Sequence, residues 1–338
     1  MKPARTLTIV LFGIAVFLAA CSTTRIGVER FEFSRLCMGV EARIVLHAAD
    51  RASAERSAEL VFEELARLDH VLSDWNPDSE LSRAVAQAAD APVHVSNDLF
   101  DVLKRALDIA RITDGAFDPT IAPLVALWRE ARRTQRLPSV IEVDEARSRV
   151  GFQLVELDAQ ARTVHFARRN VRLDFGAIAK GFACQRAIEI LTRDGIESAL
   201  VEMGGDLVCS AAPPGRTGWR IDLESDDGEL VVAHRAVSTS GDREQRIESA
   251  GRRYSHVIDS KTGLGLESQA RAVVIASDGA LADALATAIS VTGGEAGLAL
   301  ASLFEDVDAH LEESHARVRF GRSTAGFARF LAKNRIAR

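Results

Sequence analysis

The stretch Leu173-Asp174-Phe175-Gly176-Ala177-Ile178-Ala179-Lys180-Gly181 constrains this chain more than any other. It reads as an apolar strand that passes through a glycine into an Ala-rich helix, with a carboxylate and a lysine six residues apart across the turn. Glycine there lets the backbone approach a ligand closely, and the helix start exposes amides that favour an anion such as phosphate. A plain salt bridge between Asp174 and Lys180 is the competing explanation. Three more segments carry chemistry-bearing residues: Thr113 to Thr120 (Thr-Asp-Gly-Ala-Phe-Asp-Pro-Thr), Tyr254 to Gly263, and Ala282 to Ala288.

With 338 residues, 47% hydrophobic and 27% charged, the chain can bury a large core as one domain or two closely joined ones. A net charge of -6 leaves no lysine and arginine excess to follow a nucleic-acid backbone. Any phosphate is therefore recognised locally. Alternation predicts a strand opened by Met38-Gly39 and running to His47, and helical spacing predicts helices over 52–72, 96–113, 179–194 and 278–291. Arg129 to Asp144 reads as a charged, irregular excursion, and 152–173 as two strands. Ala199 to Val208 reads as strand, Gly-Gly turn, strand, with further strands to Ala276. Adjacent strands separated by single helices predict an α+β fold with mixed or mainly antiparallel sheets.

The first residues have a basic start, an apolar run from Leu7 to Leu18 and small residues before Cys21. That run is shorter than the ~20 residues that cross a bilayer. Leu18-Ala19-Ala20-Cys21 resembles a bacterial lipobox. The expected organisation is a signal peptide over 1–20, a tether over 21–30 beginning at an acylated Cys21, and one domain over 31–338, in one or two subdomains. Cys37, Cys184 and Cys209 form no CxxC pair, so neither a zinc site nor a disulfide framework is expected.

Asp283 and Thr287 lie four apart on a helix and share a face, so they can place a carboxylate and a hydroxyl on one magnesium ion. Otherwise Asp283 serves the helix dipole and Thr287 bonds back to a carbonyl. Trp75 has polar, Pro-containing flanks, which suits an exposed indole able to stack on a planar ring. Asp118 precedes Pro119 and has a turn role open to it. His256 is either structural or a general base for a hydroxyl nucleophile.

In order and in spacing, these segments from Met38 to about Gly294 resemble the FAD:protein FMN transferase family, the ApbE flavin transferases. The resemblance rests on Met38-Gly39, Asp114 to Thr120 with Trp128 after it, Leu173 to Gly181, Gly204-Gly205, Thr239-Ser240-Gly241, His256 to Gly263, and Ala282 to Ala288. It implies Mg2+-dependent transfer of FMN from FAD to a threonine or serine of an exported acceptor protein, through a phosphoester, with release of AMP. Carried over by position, flavin contacts fall on Met38, Trp75, Ala116, Phe117, Asp118, Asp174, Lys180 and Val257. The metal falls to the Ala177 carbonyl, Asp283 and Thr287, and His256 is the candidate base.

Arg129, Gln185, Glu202 and Ser260 depart from residues usual in that family, which has glycine, aspartate, asparagine and proline there. The implied partner is a flavin-accepting subunit of a membrane redox complex, and the implied place is the bacterial cell envelope, lipid-anchored and facing the periplasm or outside. A metal-dependent FAD pyrophosphatase and a non-catalytic FAD-binding lipoprotein remain the alternatives.

Overall fold

The structure, a computed structural model, describes residues 27–223, 228–241, 246–249, 252–315 and 318–332. Residues 1–20, expected to be a signal peptide, and Cys21 lie outside those residues. Among the described residues no helix is long and apolar enough to cross a membrane.

The chain opens with a hairpin of β1 (Glu29–Cys37) and β2 (Val40–Ala48), then α1 (Arg51–Leu72), α2 (Glu80–Gln87), the short β3 (Val93–His94) and α3 (Asn97–Ile112). Next come α4 (Ala122–Thr134), α5 (Val140–Arg147), β4 (Val155–Asp158), β5 (Thr163–Phe166) and α6 (Ala179–Arg193). Two hairpins follow, β6 (Ala199–Met203) with β7 (Asp206–Cys209) and β8 (Trp219–Asp222) with β9 (Glu229–Val232). After β10 (Arg235–Gly241), β11 (Arg246–Ser249), β12 (Arg252–Ser255) and β13 (Gln269–Ala276) come α7 (Gly279–Thr292), α8 (Gly294–Ala301), β14 (Asp308–His315) and β15 (Val318–Ser323).

One eight-stranded sheet runs β1-β2-β6-β7-β10-β13-β14-β15, and each neighbouring pair is antiparallel. The fold is α+β as expected, and its sheets are antiparallel rather than mixed. Side chains alternate across the sheet with the period of two that a strand imposes. Ala42, Ile44, Leu46, Val201, Met203, Val208 and Val274 join the core under α1, α3, α6 and α7. Val45, Leu200, Leu207, Val237, Val273 and Ile275 face the other way, onto the β8–β9 hairpin and Phe327. A third cluster, with Leu124, Trp128, Ala146, Ile247 and Tyr254, ties α4 and α5 to the β11–β12 hairpin.

Several expectations are corrected. Leu173-Asp174-Phe175 is not a strand: the Asp174 N–H donates to the Pro119 carbonyl at 2.8 Å instead of to a ladder, and the Phe175 carbonyl accepts from Ile178 and Ala179. Only Thr163–Phe166 of the second strand expected there is paired. Arg129 to Asp144 is largely helical. α4 buries Leu124, Trp128 and Ala131, one stripe at helical spacing hidden among charges. α5 begins with a capping box in which Ser139 and Glu142 satisfy each other's backbone N–H groups. Met38-Gly39 forms the two-residue turn between β1 and β2 with both φ angles positive, at 50° and 77°, which matches the twist of a tight hairpin. β1 takes up the last residues of the segment read as a tether.

Candidate active site

Lys180 stands in the first turn of α6, where three other segments meet it. Its Nζ donates to the Gly176 carbonyl at 2.9 Å, lies 2.9 Å from the Asp206 carboxylate and 3.7 Å from that of Asp283. Asp206 opens β7 directly after Gly204-Gly205, whose positive φ angles turn the chain, and the Ser238 hydroxyl of β10 donates to its other oxygen. Asp283 arrives from α7, and its Oδ2 accepts the Gly181 N–H at 3.1 Å. The Met38-Gly39 turn leads into Val40, which sits within 3.2 Å of where a Cβ on Gly204 would be, with Lys180 Cε at 3.6 Å.

Burial by itself would push Lys180 down, but the charges of Asp206 and Asp283 outweigh it and hold the ammonium above its ordinary range. Asp283 is raised. Burial contributes most and the Asp206 charge adds to it, while Lys180 and the Gly181 N–H oppose. Two buried carboxylates therefore share one lysine. The pairing of Asp174 with Lys180 is not what holds this site together: Asp174 Oδ1 accepts the Gly176 N–H at 2.7 Å and shapes the turn itself. Nor is Asp283 a dipole residue, since the first turn of α7 contains no acid and Asp278 caps it.

Trp75 lies in the turn between α1 and α2 and is 69% exposed, as its flanks suggested. The Arg129 guanidinium of α4 stacks 3.8 Å above its ring centroid and lies 3.8 Å from Asp74 and 3.9 Å from Asp174. Asp74 is pushed up to about 6, first by burial and then by the Asp174 charge, with Arg129 opposing.

Ala116, Phe117 and Asp118 are buried. Asp118 accepts from the Thr120 N–H, the Thr120 hydroxyl and the Phe152 N–H, so its carboxylate is committed to the turn, and burial raises its pKa. Val257 is buried and His256 half-buried in the bend after β12 rather than in a strand. That loop is tied to the segment: Ser260 donates to the Gly115 carbonyl at 2.6 Å, Lys261 meets Asp114 at 2.6 Å, and the Trp128 indole donates to the Gly263 carbonyl at 2.8 Å. The Pro119–Asp174 bond connects it onward to the Lys180 turn.

Ala177 and Thr287 are half-buried, in the turn and one helical turn beyond Asp283. Thr287 makes no back-bond of the kind Thr192 makes to Ile188. Among the described residues no group of three or more His, Cys, Asp or Glu side chains is arranged to hold a metal. Cys37, Cys184 and Cys209 are free and buried. A cleft of about 520 Å³ lies elsewhere, lined by Ile188, Glu189 and Thr192 of α6 together with Cys209, His234 and Arg235.

Sequence reasoning missed Asp206, Ser238, Asp74 and Arg129. A carboxylate opening a strand just after a Gly-Gly turn is disfavoured by strand propensity, and that was the available signal for Asp206. The departures have local partners. Glu202 pairs with Arg43 at 2.5 Å, Gln185 accepts the Gly279 N–H at 3.3 Å, and Ser260 and Arg129 make the contacts given above.

Residues 38–311 match the model of the ApbE family. A FAD:protein FMN transferase of Treponema pallidum (strain Nichols) is 35% identical over 318 residues, covering 87% of this chain and 88% of that protein. The apo flavinyl transferase ApbE of Pseudomonas stutzeri superposes with a TM-score of 0.81 at 29% identity, over 91% of this chain and 98% of that one. The flavin transferase ApbE of Vibrio cholerae gives a TM-score of 0.80 at 27% identity, over 90% of this chain and 100% of that one. In sequence and in fold, the chain belongs to the ApbE family.

Proposed function

We propose that this ApbE-family transferase moves the FMN half of FAD onto a threonine or serine hydroxyl of an exported acceptor protein and releases AMP. The observation that carries the reading is the meeting of Lys180, Asp206 and Asp283 at the start of α6, beside the Asp174 turn that leads to Arg129 and the exposed Trp75. A pyrophosphate resists attack because its oxygens repel nucleophiles, so a site must neutralise charge and align the attacker. Lys180 supplies positive charge for the phosphates at the start of α6. Trp75 and the Asp174 turn position the rings and polar edges of the dinucleotide, with Met38, Val257 and the backbone of Ala116 to Asp118 closing around it.

The residues present fit a hard divalent cation. Asp206 and Asp283 carry one more negative charge than Lys180 neutralises, and both contacts of Asp283 fall on Oδ2, leaving Oδ1 for an ion. Mg2+ would be held by the Ala177 carbonyl, Asp283 and Thr287, and when bound would neutralise charge on the diphosphate. His256 takes the proton of the acceptor hydroxyl as its oxygen bonds the FMN-side phosphorus. The bond from that phosphorus to the oxygen bridging to AMP breaks, and AMP leaves with it.

The lipobox reading of Cys21 supports a lipid-anchored enzyme on the outer side of a bacterial membrane, reaching a flavin-accepting subunit of a redox complex. Incubation with FAD, Mg2+ and an exported candidate acceptor, followed by intact mass of both proteins, tests the reaction. The expected result is an acceptor heavier by FMN less water. Free FMN and AMP with no gain on the acceptor would mark a pyrophosphatase, and bound FAD with no AMP a carrier.

A further inference from the structure

Arg129 belongs to no part of the site read from sequence, and the family's usual glycine could not do what its side chain does here. The guanidinium carbon lies 3.8 Å from the Trp75 ring centroid, yet the group approaches Asp74 and Asp174 no closer than 3.8 and 3.9 Å. Those separations are ion pairs without hydrogen bonds. A guanidinium has five N–H donors, so this one is placed by charge and stacking while its donors stay available.

One helical turn on, Arg132 has a buried Nη1 with no hydrogen-bond partner. Burial and then the Arg129 charge push Arg132 down, so these two cations stand near each other on α4, and the ion pairs to Asp74 and Asp174 are made by Arg129. Without Arg129, Asp74 and Asp174 would present their charge beside an exposed indole. That is a poor place for an anionic ligand.

We propose that Arg129 is a binding residue for a phosphate-bearing flavin dinucleotide. It screens the Asp74–Asp174 pair and offers donors to the ligand whose ring lies against Trp75. The proposal rests on the FAD reading of the site and deepens it. An aromatic ring stacks on Arg as on an indole, and the anionic diphosphate gains from a nearby cation, so both parts of the ligand favour the residue.

The test is equilibrium binding of FAD to the full chain, followed by tryptophan and flavin fluorescence, with Arg129→Gln, Arg129→Lys and Trp75→Leu compared, and steady-state kinetics alongside. Arg129→Gln is expected to weaken FAD binding about tenfold at low salt, with the gap narrowing as salt screens it. KM for FAD should rise while kcat holds, and Arg129→Lys should recover part of the loss by restoring charge without the planar fork. A merely structural Arg129 would lower the melting temperature of Arg129→Gln and leave binding by the folded fraction unchanged, which overturns the proposal. Equal FAD affinity and equal salt dependence in the unaltered protein and Arg129→Gln overturn it alone. No FAD binding by the unaltered protein overturns the FAD reading and this proposal together.

Discussion

Gly181 and Gly279 meet backbone to backbone where α6 crosses α7. A Cβ on Gly181 would fall 2.1 Å from the Gly279 carbonyl oxygen, and one on Gly279 would fall 2.2 Å from that of Gly181. The atoms nearest each of those positions are backbone, which cannot move aside as a side-chain tip can. The close approach is what lets Asp283 of α7 reach the Gly181 N–H and stand opposite Lys180.

Gly181→Ala should therefore force the two helices apart. The expected loss of stability is about 2–3 kcal/mol, as for overpacking a close-packed core, read from the urea midpoint. Turnover should fall further than stability does, because Asp283 is drawn away from the turn. An unchanged midpoint would contradict the crossing.

Lys180→Met removes the single cation between Asp206 and Asp283 and leaves two buried carboxylates facing each other. Breaking a buried pair from one side is expected to destabilise by about 3 kcal/mol. Thermal unfolding at pH 7 checks this, and Lys180→Met with Asp206→Asn should recover most of the loss while activity stays absent. No recovery would mean that the carboxylates are not what Lys180 holds in check.

Asp74 gives a pH dependence with a definite sign. Its folded pKa is pushed up to about 6 from an ordinary 3.8, by burial and by Asp174. The folded state thus binds the proton more tightly than the unfolded chain. The stability it contributes is full below pH 3.8 and is lost as pH rises through about 6. Asp74→Asn should remove that penalty, raising stability at pH 7 by on the order of 2 kcal/mol and flattening the slope of stability against pH between those values. Urea titrations across that range would show it, and an unaltered slope would count against the burial of Asp74.

Much of this was legible in the sequence, and the gaps have physical causes. The long helices carry regular apolar stripes, such as Ala54, Val61, Leu65, Leu68 and Leu72 of α1. Asp283 and Thr287 were paired as candidates because helical spacing puts them on one face, and Asp283 is the one seen to meet Lys180. Leu173, Asp174 and Phe175 are all buried, yet the Asp174 N–H bonds to the Pro119 carbonyl rather than to a ladder, and sequence periodicity alone does not separate a buried loop from a strand. α4 and α5 were hidden by arginines and glutamates, although Ser139 and Glu142 spelled out a capping box. The partners of Lys180 and Trp75 were not readable, since Asp206 and Arg129 reach them across long sequence separations that only the packed sheet and helices bring together.

The most direct measurement is AMP release from FAD by the unaltered protein and by Asp283→Ala, each with Mg2+ and a candidate acceptor present, with unfolding curves taken on the same samples. Asp283→Ala is expected to lose activity on the order of 10³-fold while unfolding as cooperatively as the parent, as removal of a transition-state charge stabiliser does. Undiminished AMP release by a folded Asp283→Ala protein would contradict a cation held at the Lys180 turn.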